Sequence, residues 1–188
     1  MRIGVVSDTH GFFDPRLEDL LGGVEMILHA GDVGSREVLD ELGRIAPVRA
    51  VRGNVDSLLL GLPPSVTATF EGIQIEILHQ LWQSQTELGK WAGTASLRAP
   101  AQRARDTFLE NFEPRTRVVV FGHSHAPCAV GLAGRLFFNP GSAGKARFSL
   151  PRCCGLLELS PTRVEATIHS LQRYNGSLPE RVCLAVGG

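Results

Sequence analysis

The sequence lacks the cysteine spacings that mark thiolate metal sites and redox motifs. None of its four cysteines belongs to a C-x-x-C pair, and the adjacent Cys153 and Cys154 would point to opposite faces of a strand. We therefore predict that the thiols are reduced and structural. Any chemistry has to come from other side chains.

Long apolar runs and an excess of one charge are also missing. No uninterrupted apolar stretch could span a bilayer, and MRIGVV offers too few apolar residues for a secretory signal. The 19 basic and 19 acidic residues cancel, which argues against an anionic membrane or long nucleic acid as a partner. We expect a cytoplasmic protein without membrane association.

Linkers and low-complexity tracts are absent as well. With 188 residues and 43% hydrophobic content, the chain is predicted to form a single domain over residues 1–188. Its first fifty residues alternate strands and helices, with the strands at IGVVS, EMILHAGD and PVRAVRGN and helices at PRLEDLLGG and SREVLDELGR. This βαβαβ order requires parallel strands with helical crossovers.

The second half of the chain has the period-two patterns of paired strands. VTATF pairs with IQIEIL, PCAV with RLFFN, and CCGLLELS with RVEATIHS, while one helix is expected near residues 101–112 and a last strand at VCLAV. We predict an α/β fold of four layers, an α-β-β-α sandwich in which helices flank two packed mixed sheets.

Polar residues follow the predicted strands at the points where they end. The apolar stretch from Val118 to Phe121 stops at a glycine and is followed by two histidines, which seldom pack this closely unless something binds their ring nitrogens. SDTH, GD, GN and a lone histidine end four other strands. The candidate ligands are Asp8, His10, Asp32, Asn54, His79, His123 and His125.

This mixture of carboxylate, amide and imidazole donors suits Mn²⁺, Fe²⁺, Ni²⁺ or Zn²⁺ better than Ca²⁺ or Mg²⁺. Seven ligands exceed what one ion needs. Two ions about 3.5–4 Å apart, sharing one carboxylate and a water, would use all of them and would suit in-line attack on phosphorus.

In its order of motifs, D-x-H, GD, GN, a lone His and GHxH, the chain resembles the calcineurin-like metallophosphoesterases. GNVD with Asp56 and NPGS at 139–142 are similar to the small single-domain phosphodiesterases of bacteria and archaea. The resemblance implies that Asp8, His10, Asp32 and His125 hold one ion, and that Asp32, Asn54, His79 and His123 hold the second and serve catalysis. Asp32 would bridge.

The resemblance implies an enzyme that hydrolyses a small phosphate ester, a diester before a monoester, by attack of a hydroxide that bridges two divalent cations. Mn²⁺ is the first expectation for the metal, with Ni²⁺, Fe²⁺ and Zn²⁺ as alternatives, and a homo-oligomer is one option for its assembly. A non-catalytic interaction scaffold, such as the retromer subunit of this fold, is the alternative function. The intact set of seven ligands favours the enzyme.

Two positions depart from the family pattern. Gln80 follows His79 where many relatives have glycine, and it opens a long connection to about Arg117. Val55 stands where related protein phosphatases carry a histidine that serves as a general acid. Without that acid, we predict a preference for esters with good leaving groups. His29 is expected in the core or behind the ligands, and His169 is expected to be structural.

Overall fold

The computed structural model describes residues 1–94, 96–147, 149–173, 176–178 and 181–185. The helices in these ranges are α1 (Arg16–Leu20), α2 (Arg36–Ile45), α3 (Gln85–Gly93) and α4 (Ala99–Leu109), with a 3₁₀ turn at Leu58–Leu60. The strands are β1 (Arg2–Val6), β2 (Met26–His29), β3 (Val48–Ala50), β4 (Ser65–Phe70), β5 (Ile73–Leu78), β6 (Thr116–Val120), β7 (Cys128–Leu132), β8 (Arg135–Asn139), β9 (Cys153–Ser160), β10 (Arg163–Ser170) and β11 (Val182–Ala185).

The strands form two mixed sheets. The first has the order β11-β10-β9-β1-β2-β3, in which β1, β2 and β3 are parallel and β9 runs antiparallel to β1. The second has the order β4-β5-β6-β8-β7, in which β5, β6 and β8 are parallel and hairpins add the two outer strands. Each sheet therefore has a parallel centre, and the carboxyl ends of its parallel strands share one edge.

Three hydrophobic clusters separate four layers. Ile3 and Val5 of β1 pack with Val118 and Val120 of β6 between the sheets. Two further clusters lie outside the sheets, one under α1 and α2 and the other under α3 and α4. Val119 belongs to the last of these, so β6 is buried on both faces, which accounts for its continuous apolar run. The predicted α-β-β-α sandwich is confirmed.

The connection after His79 differs from its prediction. Two helices occupy it, α3 and α4, where the sequence pattern indicated one helix near residues 101–112. Ser84 caps α3 by accepting a hydrogen bond from the Glu87 backbone N–H at 3.2 Å. Leu88 and Trp91 are its buried residues, so its apolar stripe is too narrow to stand out in the sequence.

The last strand, β11, is present within the predicted VCLAV segment, whose final valine lies outside the described residues. No helix in the described part of the chain has the length and apolar character that a bilayer crossing requires.

Candidate metal centre

The two sheets bring all seven predicted ligands to one place. Asp8 and His10 follow β1, Asp32 follows β2 and Asn54 follows β3, at the carboxyl edge of the first sheet. His79 follows β5, and His123 and His125 follow β6, at the matching edge of the second. Because the sheets pack face to face, these two edges form the walls of one site.

The seven side chains form a closed ring of neighbours. His125 Nε2 lies 3.4 Å from Asp8 Oδ1 and 3.2 Å from His10 Nε2, and His10 Nε2 lies 3.8 Å from Asp32 Oδ2. On the other side, Asp32 Oδ2 lies 3.4 Å from His79 Nε2, which is 3.0 Å from Asn54 Oδ1. His123 Nδ1 is 2.9 Å from the same Asn54 oxygen, and the His123 backbone N–H closes the ring on the Asp8 carboxylate.

Along this ring, Asp32 lies between His10 and His79. The ligand atoms of Asp8, His10 and His125 lie within 4.8 Å of one another, as do those of Asp8, Asp32 and His79. The two groups share Asp8, and Asp32 reaches the first group through His10, so the side chains are placed as two neighbouring ions would need them.

The donor set fits cations because acceptors face acceptors. His79 Nδ1 lies 2.8 Å from the carbonyl oxygen of Ala30, so that nitrogen carries a proton. In the neutral imidazole, Nε2 is then a lone pair, and it faces two oxygens, Asn54 Oδ1 and Asp32 Oδ2. Although burial lowers it, the pKa of His79 is raised by its hydrogen bonds to Asp32 and to the Ala30 carbonyl. A cation beside Nε2 would satisfy the same oxygens, and a backbone carbonyl that fixes the tautomer is typical of a metal-binding histidine.

The pKa values follow from burial and from these contacts. Burial raises the pKa of Asp8 to about 6, whereas at Asp32 the effect of burial is outweighed by hydrogen bonds from His79 and from the Val55 backbone N–H, and the pKa falls to about 2. Burial and the neighbouring His10 lower the pKa of His125 to about 4. The pKa of His10 is also lowered, by burial and by the positive charge of Arg147. His10 and His125 are therefore neutral at pH 7 and able to bind metal.

The backbone at the site is strained. Five of the seven residues have positive φ angles, a region that non-glycine residues seldom adopt: Asp8 (54°), His10 (50°), Asp32 (54°), His123 (69°) and His125 (58°). Such strain persists only where the surrounding structure enforces it, and it concentrates at functional sites.

A family model described as the calcineurin-like phosphoesterase superfamily domain matches residues 1–162. A probable metallophosphoesterase of Methanothermobacter thermautotrophicus is 30% identical over 174 residues, which cover 89% of this chain and 91% of that protein. The chain belongs to the calcineurin-like phosphoesterase superfamily. A second probable metallophosphoesterase of this kind, from Methanocaldococcus jannaschii, is 32% identical over 159 residues, or 81% of this chain and 71% of that protein.

Solved structures of more distant proteins share the fold. Vps29 of Chaetomium thermophilum has a TM-score of 0.71 at 21% identity, with 98% of each chain covered. Vps29 of Entamoeba histolytica in complex with Zn²⁺ has a TM-score of 0.66 at 21% identity, covering 99% of this chain and 98% of that one. Yfce, a phosphoesterase from E. coli, has a TM-score of 0.61 at 21% identity, covering 97% and 98%. The predicted family is confirmed.

The NPGS segment at residues 139–142 holds the loops of the candidate ligands in place. The Asn139 side chain donates to the Gly122 carbonyl at 2.9 Å, and Ser142 Oγ donates to the Asp8 carbonyl at 2.8 Å. The Ser142 hydroxyl is therefore engaged with the backbone. Asp56, two residues after Asn54, accepts from the backbone N–H groups of Gly53 and Gly34.

The glycines before the ligands have two different roles. Of Gly31, Gly53 and Gly122, Gly31 alone has a positive φ, at 87°. At Gly53 a Cβ atom would collide with the Asp32 carboxylate, and at Gly122 it would collide with Ser7 and Asp8. These two glycines are needed for close approach, while the ligands that follow Gly31 and Gly122 adopt the strained conformations themselves.

Two residues outside the predicted ligand set act on the ligands. Ser7 Oγ donates to Asp8 Oδ2 at 2.5 Å, and Arg147 acts electrostatically on His10 and His125.

His29, predicted for the core or the layer behind the ligands, lies in that layer: it is buried and contacts Thr9 Oγ1 at 2.9 Å. His169 lies on β10 opposite Cys154, outside the ring. Gln80 is exposed and does not prevent His79 from joining the ring.

Proposed function

We propose that the protein is a dinuclear metal-dependent phosphodiesterase that acts on a small phosphate ester. The observation that carries the proposal is the closed ring of seven donors, in which Asp32 lies between His10 and His79. Asp8, His10, Asp32 and His125 would hold one ion, and Asp32, Asn54, His79 and His123 the other. Two divalent cations in these positions would supply a hydroxide nucleophile at neutral pH and would offset charge on the phosphoryl oxygens.

The residues of the ring would have different roles in metal binding. Asp32 is central and anionic, so it offsets the repulsion between two cations, and Asn54 contributes an oxygen without adding negative charge. The Ala30 carbonyl orients His79, and the NPGS segment holds the loop of His123 in place. We propose Mn²⁺ as the native metal, because it accepts mixed oxygen and nitrogen ligands, with Ni²⁺, Fe²⁺ and Zn²⁺ as alternatives.

A diester with a good leaving group is the proposed substrate class, ahead of monoesters. Val55 occupies the position after Asn54, its side chain cannot donate a proton, and its backbone N–H is bonded to Asp32. A leaving group that departs as a stable anion needs no acid at that position. Arg147, near His10 and His125, supplies positive charge for the phosphate.

The alternative is that the protein is a non-catalytic scaffold of the same fold. In that case it would hydrolyse no phosphate ester and would not need a bound metal. The test measures hydrolysis of bis-p-nitrophenyl phosphate, p-nitrophenyl phosphate and cyclic nucleotides after metal removal and after reloading with Mn²⁺, Ni²⁺ or Zn²⁺. We expect activity with the diaryl ester that chelator abolishes, two ions per chain by elemental analysis, and a loss of at least 10³-fold in Asp32→Asn.

Asp40→Asn is the matched control, because Asp40 lies on the exposed face of α2 and its change is chemically identical. It should keep the wild-type rate. Activity that survives chelation, or that survives Asp32→Asn, would overturn the proposed hydrolase. A protein that binds no divalent ion would favour the scaffold.

A further inference from the structure

Trp82 is exposed beside the candidate metal centre, and nothing in the phosphoesterase motifs explains it. Its side chain is 73% exposed, whereas the other tryptophan, Trp91, is 5% exposed in the cluster under α3 and α4. An exposed indole leaves a large apolar surface in water. Next to a site, that surface is available for a ligand to cover.

The exposure does not come from a loosely held loop. Leu81, directly before Trp82, is buried in the same cluster as Trp91. Two residues after it, Ser84 caps α3. These anchors on either side fix the backbone of residue 82 and turn its indole outward. Because the backbone is already in place, a ligand that stacks on the indole has to order only its side chain.

The indole borders two clefts that open next to the ring of donors. The first, the His123 cleft, has a volume of about 350 Å³ and is lined by Trp82, Gln83, Phe121 and His123 among others. The second, the His79 cleft, has a volume of about 370 Å³ and is lined by Trp82, Arg52, Asn54 and His79 among others. Both volumes lie in the range of sites for small molecules.

Three of the candidate metal ligands line these clefts, namely Asn54, His79 and His123. All three belong to the set proposed for the second ion. A phosphate held at the centre would therefore extend one of its ester groups toward Trp82. The surrounding side chains favour a neutral, planar group there: Gln80 and Gln83 offer amides, and Arg52 is balanced by Glu76 in the His79 cleft.

We propose that Trp82 is a specificity-determining residue that stacks on an aromatic ester group of the substrate, either a nucleobase or a simple aryl ring. The proposal rests on the proposed function for the position of the phosphate. Stacking of a base on an aromatic side chain has a free energy of a size that alters binding about tenfold to a hundredfold.

The first measurement is binding, read from tryptophan fluorescence of the protein loaded with Zn²⁺. The probes are adenosine monophosphate, phenyl phosphate and ribose 5-phosphate, which share a phosphate but differ in the aromatic group. We expect the aromatic probes to quench the exposed indole and to bind about tenfold to a hundredfold more tightly than ribose 5-phosphate. The stronger of the two identifies the base or the aryl ring as the preferred group.

The variants assign the effect to residue 82. Trp82→Ala should remove the preference for aromatic probes, measured by competition, and Trp82→Phe should retain most of it. Leu58→Ala is the control, since Leu58 is 76% exposed and is apart from both clefts. Equal binding of all three probes, or a preference that survives Trp82→Ala, would overturn the stacking role.

Hydrolysis separates this inference from the proposed function. If aromatic phosphates bind at Trp82 but no ester is hydrolysed with Mn²⁺, Ni²⁺ or Zn²⁺, the proposed hydrolase activity is wrong and the aromatic site stands. If bis-aryl and cyclic nucleotide esters are hydrolysed at equal kcat/KM by wild type and Trp82→Ala, the hydrolase stands and the stacking role is wrong.

Discussion

Replacing Asp8 by asparagine should stabilise the metal-free protein while it weakens metal binding. Asp8 is completely buried, and burial raises its pKa from 3.8 to about 6. Each pKa unit corresponds to about 1.4 kcal/mol, so the ionised carboxylate destabilises the metal-free fold by about 3 kcal/mol at neutral pH. Asparagine has no charge to bury.

The sign and the pH range follow from linkage. At pH values well below 3.8, Asp8 is protonated in both the folded and unfolded states, and the penalty is absent. It grows as the pH rises toward 6, because the unfolded chain ionises first, and it is complete above that. Asparagine also disturbs the short hydrogen bond from Ser7, at a cost of about 1 kcal/mol. The expected net gain at pH 7.5 is about 2 kcal/mol, or roughly 4–8 °C in Tm.

Thermal denaturation in the presence of EDTA and of Mn²⁺ tests this expectation. In EDTA at pH 7.5, Asp8→Asn should melt above wild type, and the difference should shrink at pH 5. In Mn²⁺ the order should reverse, because wild type gains stability from the bound ions. Asp40→Asn, a change of an exposed carboxylate, should match wild type throughout. Lower stability of Asp8→Asn in EDTA at pH 7.5 would refute the argument.

Three further predictions concern the framework of the site. Asn139→Ala leaves buried backbone groups without partners and should lower the free energy of unfolding by about 2–4 kcal/mol in urea. Gly53→Ala pushes a methyl group into Asp32 and should weaken Mn²⁺ binding at least tenfold by calorimetry, whereas Gly43→Ala, which meets no neighbouring atom, should not. In the native protein Cys183 should react first with iodoacetamide, because burial raises the thiol pKa values of the other three cysteines to about 11 or 12.

The positions of the seven donors could be predicted because they depend on simple rules of sheet geometry. Each donor lies within a few residues of the end of a strand, and the carboxyl ends of parallel strands meet at one edge. His79 and His123 follow strands of the second sheet, and it was the family resemblance that grouped them with the donors of the first. Strand burial on both faces, as at Val119, was visible in the same way from an unbroken apolar run.

Features that depend on tertiary contacts could not be predicted. The α3 helix has a weak apolar stripe, and its position depends on the cluster around Trp91. Arg147 and Trp82 approach the site from segments that belong to no motif, so their relevance appears only in space. The need for glycine at residues 53 and 122 arises from side chains more than twenty residues away in the sequence.

The strain at the site shows why those tertiary contacts are required. Five ligand residues hold left-handed backbone conformations, each at a cost of about 1–3 kcal/mol, and the Asp8 carboxylate is buried in addition. Hydrogen bonds from Ser7 Oγ and from the His123 backbone N–H offset only part of the cost at Asp8, whose pKa stays raised. The packed sheets and the bonds from Asn139 and Ser142 hold this arrangement in place. A cation that binds there meets ligands already in position, so little of its binding free energy is spent on ordering them. The Asp8→Asn comparison measures this balance directly, since it removes part of the cost and part of the metal affinity in a single change.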